Sequence, residues 1–254
     1  MKKILKYVFK LCEFILLFIL VVGITGAITK NIYSEILINN FKSKGVFQEE
    51  LSNDKIKIYH IESNEEIPTY TIYNNKITPG NTGDIVISLD LMLDNAMVGS
   101  IISFFAGGHA GLVLDDYKDS QGSASPDYTL ESTGFGDNTN SDIFNKNYWY
   151  EDYVCPFNEV IALRVKTTEE ERNKIISKAM ALVGEPYNYT FFFNTKNASY
   201  CTDIIGKAYS EIDVNLNKDK LTTSVYDLLI SDETYISYYS YKDNNGIKYI
   251  YYLV

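Results

Sequence analysis

The chain opens on a basic flank, Lys2 to Lys10, and then runs FILLFILVVGITGAIT from Phe14 to Thr29 without one charged residue. Strictly counted, that run falls just short of the ~17 residues a helix needs to span a bilayer, and Leu11 and Cys12 lengthen it. The pattern predicts a membrane-directed segment over residues 1–30. Gly23, Gly26 and Ala27 make only a loose match to a small-residue processing site, so an uncleaved anchor is favoured over a cleaved signal peptide. The lysines keep their end in the cytoplasm by the positive-inside rule, which places the rest of the chain outside the membrane, secreted if the segment is cleaved.

Residues 31–77 read as a stalk with accessory strands. A helical hint at Ile36, Leu37 and Phe41 gives way to period-two alternation in KIKIYHIE (Lys55 to Glu62) and then to TYTIY (Thr69 to Tyr73). Residues 78–254 read as one domain. Pro79, Gly80 and Gly83 turn the chain into a strand from Ile85 to Leu89, and the apolar stretch Leu91 to Phe105 predicts a helix stopped by Gly107 and Gly108. His109 opens the next strand. A polar loop from Asp115 to Pro126 leads to a short strand, Tyr128 to Ser132. The loop GFGDNTNSD that follows is similar to a calcium loop, but the twelfth position from Asp137 is Tyr148 where a bidentate Glu is needed, so it reads as an ordinary loop.

A further strand is predicted over Asn158 to Lys166. Thr168 and Glu171 fit a capping box ahead of a helix with an apolar face at Ile175, Ile176, Ala179, Met180 and Val183, stopped by Gly184 and Pro186. Ser199 is the expected N-cap of a last helix in which Cys201, Ile205, Ala208 and Ile212 share a face. The sequence ends on an aromatic strand, KYIYYLV. Helices and strands mix without regular βαβ alternation, which predicts an α+β fold with a mainly antiparallel sheet.

Composition narrows the function classes. At 254 residues and 46% hydrophobic, the chain can bury a sizeable core. Two histidines and three cysteines exclude most zinc sites, and neither a metal nor another cofactor is expected. The net charge is −10, and because the first 29 residues carry +3, the remainder carries −13. With no basic stripe to offset that charge, nucleic acid is not an expected partner.

Candidate chemistry centres on Cys201. A cysteine in the first turn of a helix sits where the macrodipole and unpaired backbone N–H groups stabilise both a thiolate and a nearby oxyanion. A buried packing role, or a disulfide with Cys155, are the structural alternatives. A thiolate nucleophile needs an imidazole, and His109, at a strand start after two glycines, is placed to supply one. His60 lies within an alternating strand and reads as structural. A carboxylate should accept from the second imidazole nitrogen, and Glu131, in the neighbouring strand, is the first candidate ahead of Asp115, Asp127 and Asp203.

GDIVIS (Gly83 to Ser88), GHAGLVLDD (Gly108 to Asp116), TLEST (Thr129 to Thr133), GEPYNYTF (Gly184 to Phe191) and YCTDIIGKAY (Tyr200 to Tyr209) occur in an order that resembles circularly permuted members of the NlpC/P60 superfamily, in particular the YiiX/YebB-like papain-fold cysteine hydrolases. The resemblance covers roughly residues 79–237. It implies Cys201 as nucleophile, His109 as base and Glu131 as orienting acid, an antiparallel half-barrel packed on the Cys-bearing helix, and a cleft lined by tyrosines among Tyr187, Tyr189 and Tyr200. Together with the N-terminal segment, it points to a membrane-anchored, extracytoplasmic hydrolase of amide bonds working through an acyl-enzyme, with cell-wall peptide or a lipid amide as substrate. The reading from a different class is a non-catalytic ligand-binding domain on the same scaffold.

Overall fold

The computed structural model describes residues 2–63, 71–73, 76–90, 96–114, 128–134, 139–191, 197–217 and 222–254. The polar loop after residue 114, Asp115 and Asp127 with it, the start of the segment at Thr69 and the centre of the calcium-like loop lie outside the described residues.

The membrane-directed run and the expected stalk form one helix, α1 (Lys2–Lys42). Nothing between them breaks a helix, because no proline intervenes and the glycines at 23 and 26 meet no packed neighbour. It is the single helix, among the described residues, long and apolar enough to cross a membrane. Its two halves differ in burial: Phe14 to Val22 are exposed, whereas Ile38 and Phe41 are buried in the core of the domain.

The strands are β1 (Val46–Phe47), β2 (Ile56–Ile61), β3 (Thr71–Tyr73), β4 (Lys76–Thr78), β5 (Ile85–Ser88), β6 (His109–Val113), β7 (Tyr128–Ser132), β8 (Ser141–Asn145), β9 (Glu159–Val165), β10 (Thr234–Lys242) and β11 (Lys248–Leu253). The further helices are α2 (Ala96–Ala106), α3 (Glu169–Met180), α4 (Cys201–Tyr209) and α5 (Val225–Ile230). Nine strands form one sheet in the order β1-β2-β11-β10-β9-β5-β6-β7-β8, and β3 and β4 form a separate hairpin. Every pairing in the large sheet is antiparallel except β11 with β2, so the sheet is mixed and Ile56–Ile61 extend it directly.

The central strands are buried on both faces, and their alternation sorts two cores. Ile85 and Ile87 of β5, with Ile161 and Leu163 of β9, face a core shared with Ile175 of α3, with Ile204, Ile205 and Ala208 of α4, and with Leu228 of α5. Val86, Val160 and Ala162 face the other side, against Trp149, Tyr238 and Tyr252. Two-sided burial explains why these strands read as apolar runs. Strand β10, TYISYYSYK, gives no such signal because its tyrosines are apolar in the ring and polar at the hydroxyl on both faces. It is central all the same, pairing with β9 and β11.

The capping box at Thr168 and Glu171 forms, and α3 ends at Met180, which leaves Val183 outside the helix and exposed. Ser199 does not cap α4. Tyr200 occupies that position without a side-chain capping bond, and the Ser199 hydroxyl donates instead to Glu185 Oε2 at 2.7 Å. Cys12, Cys155 and Cys201 are all free, so the Cys155–Cys201 disulfide is absent.

One buried ion pair ties the central strands together. Arg164 of β9 donates from Nε to Asp84 Oδ1 at 2.8 Å and from Nη2 to Asp84 Oδ2 at 2.6 Å, a two-pronged match of guanidinium to carboxylate. Removing one partner strands the other charge in the interior. Asp84→Ala is therefore expected to destabilise the full chain by about 3–5 kcal/mol, read as a lowered midpoint in urea unfolding; an unchanged midpoint would show the pair to be dispensable.

Candidate active site

The site forms where the start of α4 meets the start of β6 and the end of β7. His109 is the first residue of β6, and Gly111 lies two residues on, on the same face. In β7, Glu131 stands directly opposite Gly111. A Cβ built on Gly111 would lie 3.0 Å from Glu131 Cγ, so the glycine supplies the space the carboxylate fills. His109 Nε2 and Glu131 Oε2 are then 2.7 Å apart.

Glu131 is 6% exposed, and both its oxygens are occupied. Oε1 accepts from the Thr129 hydroxyl at 2.6 Å and from Trp149 Nε1 at 2.8 Å, while Oε2 faces the imidazole. Three partners able to donate suit an ionised carboxylate, which can only accept. Burial would raise the Glu131 carboxyl, but these bonds, led by that to His109, hold it below the usual carboxylate range. Thr129 and Glu131 share a strand face, and Trp149 arrives from a single turn of 3-10 helix, Lys146–Trp149. The indole also stacks parallel to the imidazole, with ring centroids 5.7 Å apart and 4° between planes, and Phe157 stacks on the indole at 4.8 Å.

Cys201 is the first residue of α4, and its thiol faces the same cavity as His109, near enough to act on the imidazole. With Nε2 turned to Glu131, Nδ1 is the ring nitrogen left for the thiol. Burial by itself would lower the His109 imidazole; the hydrogen bonds to Cys201 and Glu131 and the charge of Glu131 override it and push it up to about 10. No side chain caps the start of α4, so the backbone N–H groups of its first turn remain available beside Sγ.

A cavity of about 310 Å³ opens against Cys201 and His109. Its walls include Phe157, Tyr187, Phe191, Tyr200 and Val225, which makes it apolar and large enough for an acyl group or a short side chain. Tyr200 is held by its hydroxyl, which accepts from Thr223 N at 3.0 Å. Tyr187 lies against Gly134, where a Cβ would come within 2.6 Å of the ring, and burial together with the nearby Cys201 pushes its phenol well above the ordinary range, so it stays a neutral donor. Tyr189 does not line the cavity: it is exposed, packs edge-on against Tyr187 at 4.9 Å and donates its hydroxyl to Gly134 O.

The other candidates lie elsewhere. His60 is in β2, five strands from β6 in the sheet. Asp203 pairs with Lys207 at 3.1 Å on its own helix. Trp149 escaped the sequence reading, although the one tryptophan of the chain was a signal to follow. Among the described residues, no three His, Cys, Asp or Glu side chains form a group that could hold a metal ion.

The family model for permuted papain-like amidase enzymes of the YaeF/YiiX type, family C92, matches residues 108–229, the stretch that carries His109, Glu131 and Cys201. The match spans just under half of the chain and takes in the motifs from Gly108 onward that resemble the permuted papain-like enzymes. Among solved structures the chain is similar to the metalloprotein YiiX from Escherichia coli O157:H7, at 14% identity and a TM-score of 0.45, over 63% of this chain and 96% of that one. No curated protein matches the chain.

The raised imidazole and the lowered carboxyl fix how the pair responds to pH. The contribution of His109 is complete below its ordinary value of 6.5 and is lost as pH rises through about 10, whereas that of Glu131 is present above 4.5 and is lost on acidification. Glu131→Gln is expected to move the His109 titration, followed by imidazole NMR, down from about 10 by more than one unit and to flatten the fall in stability between pH 6.5 and 10. An unmoved midpoint would show that Glu131 does not govern the ring.

Proposed function

We propose that the chain, whose residues 108–229 match the model for permuted papain-like amidase enzymes, is a membrane-anchored cysteine hydrolase of amide bonds, its nucleophile Cys201, its acid–base His109 and its orienting carboxylate Glu131. The observation that carries this reading is the buried Glu131 carboxylate holding His109 Nε2 at 2.7 Å while His109 and Cys201, at the head of α4, line the same cavity. An imidazole pushed up to about 10 is protonated at neutral pH and serves as the acid, while Cys201 attacks as its thiolate, the form in which a thiol is nucleophilic.

The thiolate adds to the substrate carbonyl, and the charge that moves onto oxygen meets the N–H groups at the start of α4, the Cys201 N–H first. As the C–N bond breaks, the imidazolium gives its proton to the departing amine, leaving a thioester on Cys201 and a neutral ring. His109 then takes a proton from water as that water attacks the thioester. The acid leaves, and the thiolate–imidazolium pair is restored. Glu131 keeps the ring in the tautomer and orientation that both transfers require, and Trp149 acts through it as a positioning residue. Tyr187 and Tyr200 line the pocket for the acyl or peptidyl part. The lysine-rich start of α1 lies in the cytoplasm and the acidic domain on the outer side, where cell-wall peptide and lipid amides are the amide-bearing substrates within reach.

Iodoacetamide labelling of the full chain in detergent, with the adduct located by mass spectrometry, tests the pair. At pH 6, Cys201 is expected to alkylate at least ~10-fold faster in the wild type than in His109→Ala, with Cys155 unaffected by the change. Equal rates at Cys201 in the two proteins, or no adduct there, would overturn the assignment. In any amide-hydrolysis assay the chain supports, Cys201→Ala is expected to abolish turnover and His109→Ala to lower kcat by roughly 10²–10⁴.

A further inference from the structure

Helix α2, AMVGSIISFFA, carries no charged side chain. A helix apolar all round belongs in a protein core or in lipid. Yet Met97, Ile101 and Phe105, four residues apart and so on one stripe, are 74%, 50% and 44% exposed. The opposite side of α2 is committed to the protein: Phe104 O accepts from Asn31 Nδ2 of α1 at 3.1 Å, and Ser103 O accepts from the Tyr226 hydroxyl of α5 at 3.0 Å.

The level at which α2 meets α1 gives the stripe its meaning. Lys30 is the first charged residue after the apolar run that ends at Thr29, so it marks the outer edge of the hydrocarbon layer. Lys30 Nζ pairs with Asp227 Oδ1 at 2.5 Å, in the first turn of α5, and Asn31 reaches α2 one residue later. The same two helix ends form a wall of the cavity: Val225 opens α5, and Ala106 and Gly107 close α2, with Gly107 packed so tightly on Val225 that a Cβ there would lie 2.6 Å away. His109 follows two residues on. The reacting groups are thus tied, through a few fixed contacts, to the point where α1 leaves the bilayer.

We propose that the Met97–Ile101–Phe105 stripe of α2 is seated in the outer-leaflet lipid beside α1, which holds the mouth of the cavity at the bilayer surface, so that the amide reaching Cys201 is one borne by a membrane amphiphile. The choice of lipid over a partner protein rests on the absence of charge from α2 and on its contact with α1 at Asn31, two residues past the exposed apolar run of that helix. The substrate class rests on the hydrolase reading above; the seating of α2 does not.

The full chain in nanodiscs of phosphatidylcholine and phosphatidylglycerol, with and without bromine on the acyl chains, tests the seating. Met97→Trp, Ile101→Trp and Phe105→Trp are each compared with the wild type, whose Trp149 gives the background. Tyr153→Trp is the control, because Tyr153 is 77% exposed and follows Asp152, whose partner Lys242 ends β10 near the Lys42 end of α1, away from the membrane run. Bromine is expected to quench the three α2 indoles several-fold more than that control. Quenching no greater than the control's, as a partner protein covering the stripe would also produce, overturns the proposal.

Access to the site is read separately, by the rates at which N-hexadecyl iodoacetamide in the bilayer and iodoacetamide in water alkylate Cys201. Ile101→Asp is expected to slow the first several-fold and leave the second unchanged. An unchanged hexadecyl rate overturns membrane delivery even where the His109 dependence of iodoacetamide labelling upholds the hydrolase.

Discussion

The Glu131 carboxylate is buried, and burial opposes its charge unless enough donors replace the water it has lost. Thr129, Trp149 and His109 replace it, and each comes from a different requirement on the fold. Thr129 needs the two-residue repeat of β7, His109 needs the register of β6 on β7, and Trp149 needs the helical turn that follows β8. Gly111 provides the room, since any side chain there would displace the carboxylate. The charge so preserved, with the contact to Cys201 at the head of α4, raises the imidazole against the opposing effect of burial.

A second constraint comes from α1. The helix that carries the membrane-directed run is also part of the domain, with Ile38 and Phe41 in the core, Lys42 over the rings of Tyr239 and Tyr241, and Lys30 on Asp227. An anchor on a slack linker would let the domain drift over many orientations. One helix running from the apolar segment into the core fixes the position of the cavity relative to that segment instead, and α2 and α5, which α1 touches, are the helices whose ends wall it.

Much of the fold was readable where a single period governs a segment. The capping box before α3 announced that helix, and the apolar runs of β5 and β9 announced strands buried on both faces. The expected boundary at residue 30 is not a break in the helix, since nothing local ends it. Strand β10 and helix α5 escaped notice because a tyrosine-rich strand has no apolar–polar contrast and a helix of a turn and a half has no period to display. Ser199 had the chemistry of a cap, but its hydroxyl found Glu185, and Tyr200 took the position.

What the sequence by itself determined was chemical identity and order: an apolar run behind lysines, a cysteine heading an amphipathic helix, and a histidine and a glutamate in successive strands in the order of the permuted papain-like enzymes. The choice among carboxylates was a matter of strand register, because Glu131 faces His109 only through the pairing of Gly111 with it, and no local pattern encodes a partner twenty residues away. The same holds for Trp149, for the aromatic walls of the cavity and for the exposed stripe of α2. Their meaning lies in which surfaces the packed structure leaves uncovered, and that is decided by the sum of long-range contacts.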